Sequence, residues 1–276
     1  MILDGLPALR DALETHGLLA RKSLGQHFLL DLNITRKIAR LAGPLDGAWV
    51  IEVGPGPGGL TRALLEAGAR VIAVEKDPRF LPLLEDLARA ADGNLQVVLA
   101  DALTIDETAL AQGAPAAVVS NLPYNVGTPL LLKWLTGPFR PTAMTLMFQK
   151  EVALRIAAPP GAEAYGRLSV IAQACAHVER VMDVPARAFT PPPRVDSAVV
   201  RLAPRADRPD DRRLAALQAV TGAAFGQRRK MLRASLKALG GERLCEAAGL
   251  SAEARAETIS VEGFLDLADA WLNARR

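Results

Sequence analysis

Between residues 48 and 149, five short apolar runs alternate with helical patterns, and this alternation restricts the fold more than anything else in the chain. The runs are "AWVIEVG" (48–54), "RVIAVEKD" (70–77), "LQVVLAD" (95–101), "PAAVVSN" (115–121) and "TAMTLMFQ" (142–149). Val, Ile and Leu at consecutive positions leave no strand face for water, so each strand must be covered on both sides. The intervening segments "GGLTRALLEAG" (58–68), "PRFLPLLEDLARAA" (78–91) and "TPLLLKWL" (128–135) carry helical spacing. The expected product is an open, doubly wound α/β sheet, mostly parallel, whose ligands sit beyond the carboxyl ends of the strands. After the fifth strand the pattern reads as helical, beginning with "KEVALRIAA".

The texture changes near residue 204. "PRADRPDDRR" has the composition of a linker, and every later segment reads as helix. The expected organisation is a ligand-binding domain over 1–204 and a smaller all-helical domain over 205–276, within the size range of two unequal units. Two cysteines far apart and three histidines at no ligand spacing leave no disulfide framework or metal site in the pattern, so no metal is expected. The acids of "MILDGLPALRDALETHG" do not suit a secretory signal, and no apolar run reaches membrane length; a cytoplasmic protein is expected. A net charge of +3 permits a polyanionic partner without requiring one.

"EVGPGPGG" joins the first strand to the first helix, and Gly54, Gly56 and Gly59 satisfy G-x-G-x-x-G. Glycines there allow a tight turn and close approach of a nucleotide. Glu75 ends the second strand, where a carboxylate can accept ribose hydroxyls. This fits NAD and S-adenosylmethionine alike. Three features tilt toward the second. Pro55 and Pro57 carry no N–H, so the loop offers few donors to a pyrophosphate. Asp101 ends the third strand, where it can accept from an adenine amino group but would repel phosphate. No second mononucleotide-binding half follows. Glu52, Glu75 and Asp101 together suit a ligand bearing a sulfonium and an ammonium.

"NLPY" (121–124) closes the fourth strand, which in a methyltransferase sheet lies beside the first. An exocyclic base amine is a poor nucleophile because its lone pair is delocalised into the ring. Acceptors on its two N–H groups favour the pyramidal, attacking geometry and stabilise the developing charge. The Asn121 side-chain oxygen and the Leu122 carbonyl are suited to this, Pro123 stiffens the turn, and Tyr124 offers a face for a base swung out of its stack.

The chain resembles the ribosomal RNA adenine dimethyltransferases, particularly the bacterial small-subunit type. The matching stretches are "KSLGQHFLLD" (22–31), "VIEVGPGPGGLTRALL" (50–65), "VEKD" (74–77), "SNLPYNVGTPLLLKWL" (120–135), "MFQKEVALRIAAPPGAEAYGRLSV" (147–170), "VPARAFTPPPRVDSAVVRL" (184–202) and "AAFGQRRKMLRASLKAL" (223–239). The resemblance implies a Rossmann-like class I methyltransferase domain that transfers methyl groups from S-adenosylmethionine to N6 of two adjacent adenosines near the 3′ end of 16S rRNA. Each base would be methylated twice, in immature 30S subunits, by an enzyme expected to be a monomer. It implies cofactor contacts at His27, Leu29, Gly54, Glu75, Asp101 and Asn121, with His27 standing where the family often has Asn. Catalytic roles fall on Asn121, Leu122, Pro123 and Tyr124, and Phe189 matches an aromatic that sandwiches the target base.

An RNA substrate accords with "GQRRKMLRASLKAL". Read as one helix, it sets Arg228, Arg229, Lys230, Arg233 and Lys237 largely on one side, a stripe for phosphates. Arg21 and Lys22 would lie near the pocket mouth. Aromatics are only 4% of the chain, which disfavours a stacking platform for long single strands. Three rivals stand beside this reading: a large-subunit rRNA methyltransferase of the macrolide-resistance type, an NAD-dependent oxidoreductase and a non-catalytic ribosome assembly factor.

Overall fold

The computed structural model describes residues 5–18, 26–227 and 229–275. Seven strands form one sheet: β1 (Trp49–Val53), β2 (Arg70–Glu75), β3 (Leu95–Leu99), β4 (Ala116–Asn121), β5 (Met144–Gln149), β6 (Ala176–Val184) and β7 (Ser197–Pro204). Their order is 3-2-1-4-5-7-6. The pairs β1–β2, β1–β4, β2–β3 and β4–β5 are parallel, and β7 runs antiparallel to β5. A separate two-residue ribbon pairs Phe28–Leu29 with Phe189–Thr190.

The parallel register decides where the site lies. Trp49 pairs with Arg70 and with Ala116, so the carboxyl ends of β1, β2 and β4 come level at one sheet edge. The strand order reverses at β1, with β2 on one side and β4 on the other, which opens the crevice where ligands bind in such sheets. The Ser120 hydroxyl donates to the Val53 carbonyl at 2.6 Å and pins β4 to β1 at that crevice. Val50, Ile51, Ile72, Ala73 and Val118 are fully buried, as expected of strands covered on both faces. The helix Gly59–Glu66 covers the sheet through Ala63, Leu64 and Leu65.

β6 and β7 depart from the sequence reading, which took the chain as helical after its fifth strand. β6 ("AHVERVMDV") is the final strand of the sheet, and its polar, partly exposed residues hide the pattern of a buried strand. The compact units also differ from a single cut at 204. One comprises Met1–Ala153 with Glu179–Ala203, the other Leu154–Val178 with Pro204–Arg276. In the second, Tyr165 donates its hydroxyl to the Ile259 carbonyl at 2.9 Å, and its ring meets Phe225 edge-on, so residues near 165 belong with the later helices. Those helices are well capped: Asp210 opens Asp211–Gly226, and Ser260 opens Val261–Asn273.

The basic stripe read as one helix is not one. The helix Asp211–Gly226 ends before it, Arg229 and Lys230 lie in a turn, and only Leu232–Ser235 and a 3-10 turn at Lys237–Leu239 follow. The backbone is claimed elsewhere. Leu232 and Arg233 donate N–H to the carbonyls of Ala254 and Ala252, and Met231 bridges Arg255. Arg229, Lys230 and Arg233 are exposed but share no continuous helical face. Arg21, Lys22 and Arg228 lie outside the described residues.

Candidate active site

A pocket at the carboxyl edge of the sheet is lined by residues from six separate stretches. They include Leu29 from the ribbon and His27 just before it, Gly54 from the loop after β1, Glu75, Asp101, the whole corner Asn121–Tyr124, and Phe189. Every cofactor and catalytic position expected from sequence therefore lines one cavity.

The glycine loop is turned by left-handed backbone at Gly54 and Gly56, with φ of 68° and 52°. A Cβ at Gly54 would stand 3.2 Å from Cγ of Pro123, so the loop and the proline corner touch across the crevice. Gly54→Ala is expected to cost about 1 to 3 kcal/mol, from strain at positive φ and displacement of Pro123. Urea unfolding and calorimetric cofactor titration would measure it, with affinity falling alongside stability.

The loop has no donors to spare. Gly54 N–H donates to the Val74 carbonyl, Gly58 N–H to the Pro55 carbonyl, and Gly56 N–H to Glu75 Oε2 at 3.0 Å. Pro55 and Pro57 have none. An anion nest needs several converging free N–H groups, and residues 54–58 offer none, so the turn itself gives no seat to a dinucleotide pyrophosphate.

The acids differ in state. Glu75 is buried, and its Oε1 accepts N–H from Lys76 and Asp77, both at 2.8 Å. Burial pushes its carboxyl upward, and the three backbone donors oppose that shift. With Oε1 occupied twice, Oε2 is the oxygen with more room for a ligand hydroxyl. Asp101 is held below the usual carboxylate range, first by the Lys76 ammonium at 2.7 Å and then by the Leu103 N–H. Glu52 lies fully inside, pushed up to about 8 by burial, with the Glu75 charge adding to the effect. The neighbouring Thr61 hydroxyl favours its ionised form, but Oε2 of Glu52 and Oγ1 of Thr61 both lack a hydrogen-bond partner among the described residues.

The Asn121 side chain, partly buried at the end of β4, makes no hydrogen bond among the described residues. Leu122 is buried and anchors the corner from beneath. The Tyr124 hydroxyl meets Oγ of Ser197 at 2.7 Å. His27 Nδ1 lies 2.8 Å from the Pro191 carbonyl, and since a carbonyl only accepts, that nitrogen carries the proton. The His27 ring stands 5.5 Å from that of Tyr124, tilted by 32°. Phe189 is almost wholly buried, opposite Leu29 in the ribbon, with one part facing the cavity.

Sequence reasoning missed several supporting groups. Lys133 donates to the carbonyls of Ala102 and Ile105 and to Glu107, which also accepts from the Trp134 indole, and so clamps the Asp101 loop. Gln26, Asp77 and Arg79 form a network below the ribbon. Nothing local in the sequence signals these partners, which are 26 to 53 positions apart apart from the Asp77–Arg79 pair. Asp77 is driven down to about 2, chiefly by the Arg79 guanidinium. Its stabilising effect is therefore complete above about pH 4 and lost as pH falls toward 2. Asp77→Asn is expected to cost about 2 kcal/mol at pH 7 and almost nothing near pH 2; urea melts across that range would show the gap closing.

Residues 17–272 match the family described as "Ribosomal RNA adenine dimethylase". The chain belongs to that family. A "Ribosomal RNA small subunit methyltransferase A" of Phenylobacterium zucineum is 72% identical over 276 residues, covering 100% of this chain and 96% of that protein. Among solved structures, a dimethyladenosine transferase from Plasmodium falciparum aligns with a TM-score of 0.73 at 26% identity, over 87% of this chain and 96% of that one. The 23S rRNA methyltransferase ErmE aligns with a TM-score of 0.68 at 28% identity, over 88% and 98%. The protein is thus an α/β methyltransferase of the class I type. No described helix is long and apolar enough to cross a membrane.

Proposed function

We propose that the protein methylates N6 of two adjacent adenosines in the 3′-terminal hairpin of 16S rRNA, twice each, during 30S subunit maturation, acting in the cytoplasm as a monomer. The observation that carries this reading is the packing of Gly54 on Pro123, which sets the Asn121–Tyr124 corner against a cofactor loop unsuited to phosphate.

The cavity fits S-adenosylmethionine: four acids line it, one with an orphaned carboxyl oxygen, and residues 54–58 of its loop present no anion nest. When bound, that cofactor supplies an electrophilic methyl on a sulfonium. Glu75 would hold the ribose and Asp101 the adenine amino group, with His27, Leu29, Gly54 and Asn121 completing the enclosure. Asn121 Oδ1 and the Leu122 carbonyl accept the two N–H groups of the target amine and hold its lone pair toward the methyl. They also stabilise positive charge as it develops on nitrogen. Tyr124 and Phe189 take the base between them, which offsets the cost of unstacking it from RNA. The product ammonium gives its proton to solvent, so no strong base is required. Arg229, Lys230 and Arg233, exposed in the second unit, contact RNA phosphates, as would Arg21, Lys22 and Arg228.

A large-subunit substrate is favoured by nothing beyond the fold shared with ErmE, whereas the relative at 72% identity is named for the small subunit. The decisive experiment incubates the protein with undermethylated 30S particles and, separately, with naked 23S rRNA, using methyl-labelled cofactor. Label confined to adjacent adenosines of 16S rRNA supports the proposal. Label in 23S rRNA alone, in cytosine or in protein overturns it.

A further inference from the structure

We propose that Ser197, the first residue of β7, is a positioning residue that sets the orientation of the Tyr124 ring toward the target base. The proposal rests on the stacking role assigned to Tyr124 above. A tyrosine at a pocket mouth turns about two side-chain torsions, and a stacking face is useful only if both are held before the base arrives. Here both are held from one segment. At its tip, the Tyr124 hydroxyl meets Oγ of Ser197 at 2.7 Å, and Ser197 is fully buried. On its face, the ring meets that of His27, whose Nδ1–H donates to the Pro191 carbonyl. Pro191 and Ser197 belong to the stretch that also delivers Phe189 to the cavity.

Ser197 is a firm anchor for backbone reasons. It pairs with Gln149 where β7 leaves its loop, and the preceding residue, Asp196, accepts N–H from Lys150 through its carbonyl and from Ala186 through its carboxylate. The two halves of the base sandwich, Tyr124 and Phe189, are thereby referenced to one rigid piece of chain although 65 positions separate them in sequence. Burial pushes the Tyr124 phenol upward, so it stays neutral and keeps a hydrogen for this bond.

The test is a double-mutant cycle on methyl transfer to undermethylated 30S particles at saturating cofactor. Ser197→Ala and Tyr124→Phe are each expected to lower kcat about fivefold, the scale of one buried neutral hydrogen bond. Cofactor affinity by calorimetry and KM for the particle should both hold. The double variant should be no slower than either single one, because both remove the same bond. Effects that multiply in the double variant, or singles that turn over at the wild-type rate, overturn the role of Ser197. Tyr124→Phe leaves the buried strand untouched and keeps the test valid if Ser197→Ala folds poorly. Tyr124→Ala separates the two readings. If it abolishes transfer while Tyr124→Phe and Ser197→Ala do not slow it, stacking stands and the strut falls. If Tyr124→Ala is itself unimpaired, the stacking role fails and the strut with it.

Discussion

Asn121→Ala is expected to slow methyl transfer about 100- to 1,000-fold, the loss typical when one preorganised group facing transition-state charge is removed. The strand beneath should stay intact. Asn121 pairs with Met147 through its backbone, and Ser120 ties β4 to β1 independently of the Asn121 side chain. That side chain lines the cavity and makes no hydrogen bond among the described residues, so its removal leaves no protein group unpaired. Single-turnover transfer to undermethylated 30S particles, with thermal unfolding as a control, measures the effect. An unchanged rate with bound cofactor would remove the corner from the chemistry.

The second large effect belongs to Glu52 and appears without any substrate. Its carboxyl is pushed up to about 8 in the folded chain against an ordinary value of 4.5. Between those values the folded protein holds a proton that the unfolded chain has released. A raised carboxyl is at its most favourable below pH 4.5, and stability drains away as pH rises toward 8, by at most about 1.4 kcal/mol per pH unit. Glu52→Gln keeps the shape and removes the titration. The variant should therefore gain on the wild type steadily from pH 5 to pH 8, reaching several kcal/mol in urea melts of the cofactor-free protein. Parallel stability curves across that range would show that Glu52 is solvated or paired in solution. The groups acting on Glu52 are Thr61, which favours the charged form, and Glu75, which opposes it. A cationic ligand in the cavity would reverse the penalty.

Much of the site was legible because its residues cluster at strand ends. In a parallel sheet the period-one apolar runs mark the strands, and the first residues past each run must meet at one edge. Gly54, Glu75, Asp101 and Asn121 could be placed that way with no knowledge of register, and all four line the cavity. β6 was not legible, because the final strand of the sheet needs no continuous apolar run and "AHVERVMDV" has none. The basic stripe misled for the opposite reason. Its spacing fits a helix well, but the carbonyls of Ala252 and Ala254 take N–H groups that a helix would need. Local propensity yields when tertiary partners bind the backbone better.

His27, Leu29 and Phe189 reached the site by resemblance alone, and the structure gives the reason in the ribbon that pairs Leu29 with Phe189 across 160 positions. By itself, the amino-acid sequence determined the strand ends, the donor-poor turn with its two prolines, and the amide–proline–tyrosine corner, because each is a local property of a few consecutive residues. Only the tertiary structure decided that Pro123 rests on Gly54, that Oε2 of Glu52 finds no hydrogen-bond partner among the described residues, and that Ser197 holds the phenol of Tyr124. Those are contacts between distant segments. They depend on which strands become neighbours and at what register, and no stretch of chain carries that information alone.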